Sequence, residues 1–129
     1  MDLKYFISKN QLSVIRSNCK GEEGGYFKAI IEDLEAKIST MPKTYETDVQ
    51  GDDAIATLHY FLGSSDWYIV ERDQEEDQFQ AFGFTCLNGD RQNAEFGYIN
   101  IEELIQSGVE LDLYYKPETI GTIKARFRI

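Results

Sequence analysis

Two prolines, two cysteines and one histidine are all that this 129-residue chain holds of those types, and each scarcity closes a line of interpretation. Cys19 and Cys86 stand far apart with no Cys-x-x-Cys spacing. That excludes a disulfide-dense scaffold and points to a reducing compartment. One histidine with two separated cysteines is poor material for zinc, so no metal site is expected. His59 is then the only imidazole available to a catalytic triad, and no Gly-x-Ser-x-Gly elbow presents a nucleophile to it. The pattern around it reads as a half-buried strand residue. Ser64 and Ser65 fall in a tight turn, where hydroxyls bond the backbone. The Gly24–Gly25 pair lacks the lysine and the preceding strand of a phosphate loop, and no cofactor is expected. No apolar run approaches the roughly 20 residues of a spanning helix. The N-terminal ten residues hold too few apolar side chains for a signal sequence. A cytoplasmic protein without membrane association is expected.

Cations are scarce where anions are dense. Residues 1–20 and 116–129 each carry four basic and one acidic side chain, whereas residues 21–115 carry five basic and twenty-one acidic ones, within a net charge of −10. Such a middle repels phosphate and other acidic surfaces and favours basic ones. Hydrophobic residues make up 42% of the chain and aromatic ones 13%, enough for a folded core in a single domain.

Periodicity divides that domain into a helical part (1–42), a sheet (56–115) and a basic C-terminal tail (116–129). Ser8 and Gln11 have capping-box spacing ahead of a helix over 8–18. Phe27, Ile30, Ile31, Leu34 and Ile38 form the stripe of a second helix from Tyr26, which Pro42 limits. Residues 43–54 read as a loop. Aromatic and β-branched residues then alternate between turn signals, predicting strands over 56–62, 66–73, 78–87 and 94–99. The third has apolar groups on both faces and is expected to be central. Asn100 caps a helix over 101–107 closed by Gly108, a fifth strand spans 109–113, and Pro117 opens a last helix over 117–125. The fold class is α+β: an antiparallel meander of about five strands with two N-terminal helices and short C-terminal ones.

Carboxylates supply the candidate sites. Asp73, Glu75, Glu76 and Asp77 crowd one hairpin tip without the glycine-and-glutamate frame of a calcium loop, which predicts a solvated, partner-facing tip. Asp90 and Glu95 are expected close to it. A second arrangement would gather Trp67, Glu71, Tyr98 and Asp112 as an aromatic-walled pocket. Glu71 and Glu95 could meet there if their strands were neighbours, and burial would raise one of them into general-acid range. The bland alternative has both facing water or pairing with Arg72 or Arg91. Trp67, Tyr68, Tyr98, Tyr114 and Tyr115 could form a stacking platform, but residues 66–115 contain only Arg72 and Arg91 as cations. Direct nucleic-acid binding is therefore disfavoured.

The motifs G-S-S-D-W-Y-I-V-E (63–71), Q-A-F-G-F (80–84), L-N-G-D (87–90), A-E-F-G-Y-I-N-I-E-E-L (94–104) and G-V-E-L-D-L-Y-Y (108–115) follow one another in a recognisable order. Together they resemble a domain-of-unknown-function family of short proteins carried on bacterial plasmids, integrative elements and phages. The resemblance covers about half the chain and brings no catalytic or binding residues. It implies an accessory gene of a mobile element, a setting in which host defence is often countered. The expected function is a non-enzymatic acidic protein that docks on a basic partner, a DNA-mimic-like inhibitor of a nucleic-acid-binding protein. Size scaling gives a diameter of about 36 Å. Duplex DNA of that length carries ~20 phosphates, similar to the twenty-one carboxylates of the middle. The alternatives are a small-ligand or enzymatic domain built on the carboxylate pocket, and a plain accessory interaction module.

Overall fold

The computed structural model describes residues 3–47, 49–74 and 80–129. Helix α1 (Lys9–Asn18) begins where the cap predicts, with the Ser8 hydroxyl accepting the Gln11 N–H at 3.1 Å. Helix α2 (Gly24–Thr40) starts two residues ahead of the apolar stripe. The chain folds so tightly between the two helices that a Cβ on Gly24 would stand 2.3 Å from the Cys19 carbonyl oxygen. Met41 ends α2 in extended backbone, φ −67° and ψ 153°, as the residue before a proline must.

Strands β1 (Ile55–Ala56), β2 (Leu58–Leu62), β3 (Ser65–Glu71), β4 (Gln80–Cys86) and β5 (Glu95–Asn100) follow, then α3 (Ile101–Gln106), β6 (Glu110–Leu111), β7 (Glu118–Thr119) and α4 (Ile120–Phe127). The main sheet is antiparallel in the order β5-β4-β3-β2-β6, and β1 pairs separately with β7. The α+β fold class is as the alternation predicts. Several details differ. The expected strand over 56–62 is split at Thr57, whose N–H bonds the Ile69 carbonyl. Helix α3 carries the chain away from β5, so the fifth strand is a two-residue segment pairing with β2 on the far edge. That makes β3 the central strand and leaves β4 one place from the edge. The last helix begins three residues later than Pro117 suggests, because Thr119 caps it by accepting the Thr122 N–H at 3.1 Å. Residues 116–129 are therefore no tail: Ile120 and Ile123 are fully buried.

Period-two alternation feeds two cores. Leu58, Tyr60, Ile69, Ala81, Ile99 and Leu111 face α1 and α2, whose Leu12, Ile15, Leu34 and Ile38 complete the first. Tyr60 is wholly buried there, its hydroxyl donating to the Phe6 carbonyl and its phenol held above the usual titration range by burial. Tyr68, Val70 and Phe84 face the other way, against Ile120 and Ile123 of α4. The β3–β4 register slips between Ile69 and Glu71, so Val70 is a bulged residue and Glu71 pairs with Phe82. Glu71 thereby leaves the face of Trp67 and Ile69 on which strict alternation would set it.

Candidate binding surface

The antiparallel meander decides which predicted site residues meet. Successive turns of a meander lie at opposite ends of the sheet. Asp73 follows β3 at the Gln80 end of β4, whereas Asp90 and Glu95 lie at the Cys86 end, about 20 Å away at the usual strand rise. The expected single cluster is divided. Glu75, Glu76 and Asp77 lie outside the described residues.

The aromatic pocket does not assemble. Trp67 packs on the first core, and Tyr98 is exposed on edge strand β5, edge-on to Phe82. Asp112 lies beside β2, and β4 separates Glu71 from Glu95. Glu71 is buried and faces neither water nor an arginine. Its Oε1 accepts the Tyr45 N–H at 2.9 Å, and its Oε2 accepts the Thr47 N–H at 2.8 Å and the Thr47 hydroxyl at 2.5 Å. This carboxylate is saturated in holding the 43–47 segment. Tyr45 links two of the expected pocket members, because its hydroxyl also lies 3.1 Å from that of Tyr98.

His59 is half-buried in β2, as its pattern implies, but its neighbours are charged. Nε2 lies 2.7 Å from Asp66 Oδ1 and Nδ1 lies 3.1 Å from Asp112 Oδ2, while the ring stacks on Tyr68 at 4.6 Å. A carboxylate oxygen occupies each ring nitrogen, so neither is open to a substrate. The part played by Asp66 escapes strand alternation alone. It follows once Gly63 and Ser64 are taken as a two-residue hairpin loop, because Leu62 then pairs with Ser65 and Asp66 becomes the diagonal neighbour of His59. Gly63 supplies the positive φ, 58°, that such a loop requires.

Beside this cluster, Arg126 grips Glu118 through two hydrogen bonds of 2.9 and 2.7 Å, and the Tyr115 hydroxyl donates to the same carboxylate at 3.0 Å. The arginine, helped by the tyrosine, holds the Glu118 carboxyl below its ordinary value of 4.5 against the opposing effect of partial burial. A depressed folded-state value contributes stability above the unfolded one and loses it as pH falls through the folded one. On acidification below pH 4.5, wild type is expected to lose more thermal stability than E118Q. Parallel acid-melting curves for the two proteins would refute the assignment.

The acidic end of the sheet is built rather than incidental. The Gly89 N–H bonds the Ser64 carbonyl at 2.9 Å, and the Asn88 N–H bonds Ser65 Oγ at 2.9 Å, pinning the β4–β5 connection against the β2–β3 turn. Asn93 then donates to Asp90 Oδ2 at 2.6 Å. The result is a concavity of about 260 Å³ lined by Thr85, Leu87, Asn88, Asp90, Asn93 and Glu95, with no basic side chain in its wall. Glu110, Phe61, Asp66 and Cys86 continue the same end across the sheet in successive registers. Of the carboxylates at this end, Asp66 is held by His59, and Glu110 and Glu95 stand in adjacent rows on opposite faces of the sheet.

Among the described residues no group of His, Cys, Asp and Glu side chains is arranged to hold a metal ion, and no helix is long and apolar enough to cross a membrane. Comparison with family models, with curated proteins and with solved structures returns no match.

Proposed function

We propose that this is an acidic, non-enzymatic binding protein of a mobile element, which docks its carboxylate-rimmed sheet end on a basic protein surface and keeps nucleic acid from it. The single observation carrying the reading is the Asp90–Glu95 concavity. Both carboxylates are exposed and no cation lines the space between them. Other carboxylates have partners of their own: Asp33 with Lys37, Asp52 with Lys124, Glu118 with Arg126, and Asp66 and Asp112 with His59. His59 and Glu71, the residues a hydrolytic reading would draw on, are fully engaged in holding strands and loops. Scale limits the mimicry. Five strands at about 4.8 Å spacing make a rim of roughly 19 Å. Duplex DNA carries about 11 phosphates over that length, both strands counted. The rim therefore substitutes for a short stretch of backbone, well short of the ~20 phosphates that the whole diameter would span.

The test uses the partner captured from host cytosol at low salt. Its affinity is expected to fall about tenfold between low and physiological ionic strength, duplex DNA is expected to compete, and D90N/E95Q is expected to slow association. A partner held equally well at both salt concentrations, by wild type and double variant alike, would overturn the reading.

A further inference from the structure

The walls of the Asp90–Glu95 concavity narrow what can enter it. A space of about 260 Å³ is too small for a helix, whose diameter with side chains is about 10–12 Å. It takes a single side chain. Part of its wall is aliphatic, because Leu87 is exposed there and packs into neither core. Thr85 and Glu95 stand next to each other in direct register across β4 and β5. Asp90 joins them from the β4–β5 connection.

The acceptors of this space are unused. Asn93 donates to Asp90 Oδ2 at 2.6 Å, and among the described residues no other hydrogen bond or ion pair reaches either carboxylate. Arg91 follows Asp90 in the chain but does not line the wall. An occupant therefore has to combine an apolar stem with a cationic head that donates to two carboxylates.

We infer that the concavity receives one arginine side chain of the partner, its stem against Leu87 and its guanidinium between Asp90 and Glu95. Arginine lays its methylenes on apolar surface while its head stays among polar groups. The guanidinium presents five N–H donors in a planar fork, so it serves two carboxylates at once. A lysine ammonium is a compact, strongly hydrated point charge and matches such a pair less well. A second copy of this chain is a poor source of the arginine, since two molecules of net charge −10 repel. That the arginine belongs to a protein partner rests on the proposed function; the choice of arginine rests on the wall.

Three end-blocked peptides test this, each glycine–X–glycine with X arginine, lysine or citrulline. They are titrated into the protein while NMR follows the Leu87 methyls and the Asn93 side-chain amide. The arginine peptide is expected to shift both signals and to bind about fivefold more tightly than the lysine peptide, because forked, charge-assisted bonds are the stronger kind. Citrulline keeps the length of arginine without its charge and is expected to leave both signals in place. L87S should weaken the arginine peptide about fourfold, the worth of one buried methylene. D90N/E95Q should abolish its shifts. Equal binding of the lysine and arginine peptides at these signals would overturn the arginine assignment and leave the acidic docking reading standing. An arginine peptide that shifts neither Leu87 nor Asn93 overturns the inference. Arginine preference at these signals, with a captured partner indifferent to D90N/E95Q, would keep the pocket and sink the proposed function. A dimer in sedimentation that D90N/E95Q dissociates would assign the arginine to a second copy and overturn the partner.

Discussion

Replacing Glu71 by alanine is expected to destabilise the protein by about 2–5 kcal/mol, because it strands the buried Thr47 donors and the part-buried Tyr45 N–H. The carboxylate is 3% exposed and accepts from the backbone of Tyr45 and from both the backbone and the hydroxyl of Thr47. Tyr45 sits at φ 74°, a left-handed conformation that costs a residue other than glycine about 1–2 kcal/mol. The Glu71 bond helps to hold it there. Glutamine at this position keeps one acceptor oxygen but turns its NH₂ toward a donor, so E71Q should fall between wild type and E71A. Urea denaturation measures both. An E71A midpoint matching wild type would show that the segment is held by other means. Thr47 also walls a cavity with Val70, Phe82 and Phe96, away from the Asp90–Glu95 concavity.

The second large effect comes from a pair of glycines that face each other across β4 and β5. Gly83 and Gly97 are in direct register, yet their surroundings are opposite. A Cβ on Gly83 would stand 2.0 Å from the Tyr68 carbonyl oxygen and 3.1 Å from the Ile69 Cα, both backbone atoms of the central strand next to the bulge. Backbone cannot move aside as a flexible side chain does. G83A is therefore expected to cost at least about 3 kcal/mol, the upper end of ordinary overpacking. A Cβ on Gly97 would meet nothing within 4 Å, and G97A should stay within about 0.5 kcal/mol of wild type. Equal urea midpoints for the two variants would contradict this account of the β3–β4 contact. Failure of G83A alone to give folded protein would agree with it.

These two sites also show where reading along the chain stops. The capping boxes at Ser8 and Asn100, the apolar stripe of α2 and the aromatic meander are local patterns, and each produces the element it predicts. The third strand was expected at the centre because apolar groups occupy both its faces; it lies one strand from the edge, which meets the same burial requirement. Asp90 and Glu95 were expected beside the 73–77 tip; the β4–β5 connection brings the two of them together at the other end of the sheet. Their separation from Asp73 depends on turn parity, which a one-dimensional charge run does not express. Alternation places Glu71 beside Trp67, which leaves open a meeting with Glu95, exposure to water or pairing with an arginine. One extra residue at Val70 turns it instead toward the 43–47 segment.

From the chain alone came the α+β class, the helix caps, the strand punctuation and the excess of negative charge between residues 21 and 115. All are written in neighbours within a few residues of one another or in simple composition. Tertiary structure alone decided that Asp66 and Asp112 flank His59, that Glu71 is spent on backbone donors, and that β5 and β6 are the two ends of the sheet. Each of those outcomes hangs on a register or a crossover between segments far apart in sequence. A shift of one residue in pairing turns a side chain to the other face of a sheet, and no local propensity specifies that shift.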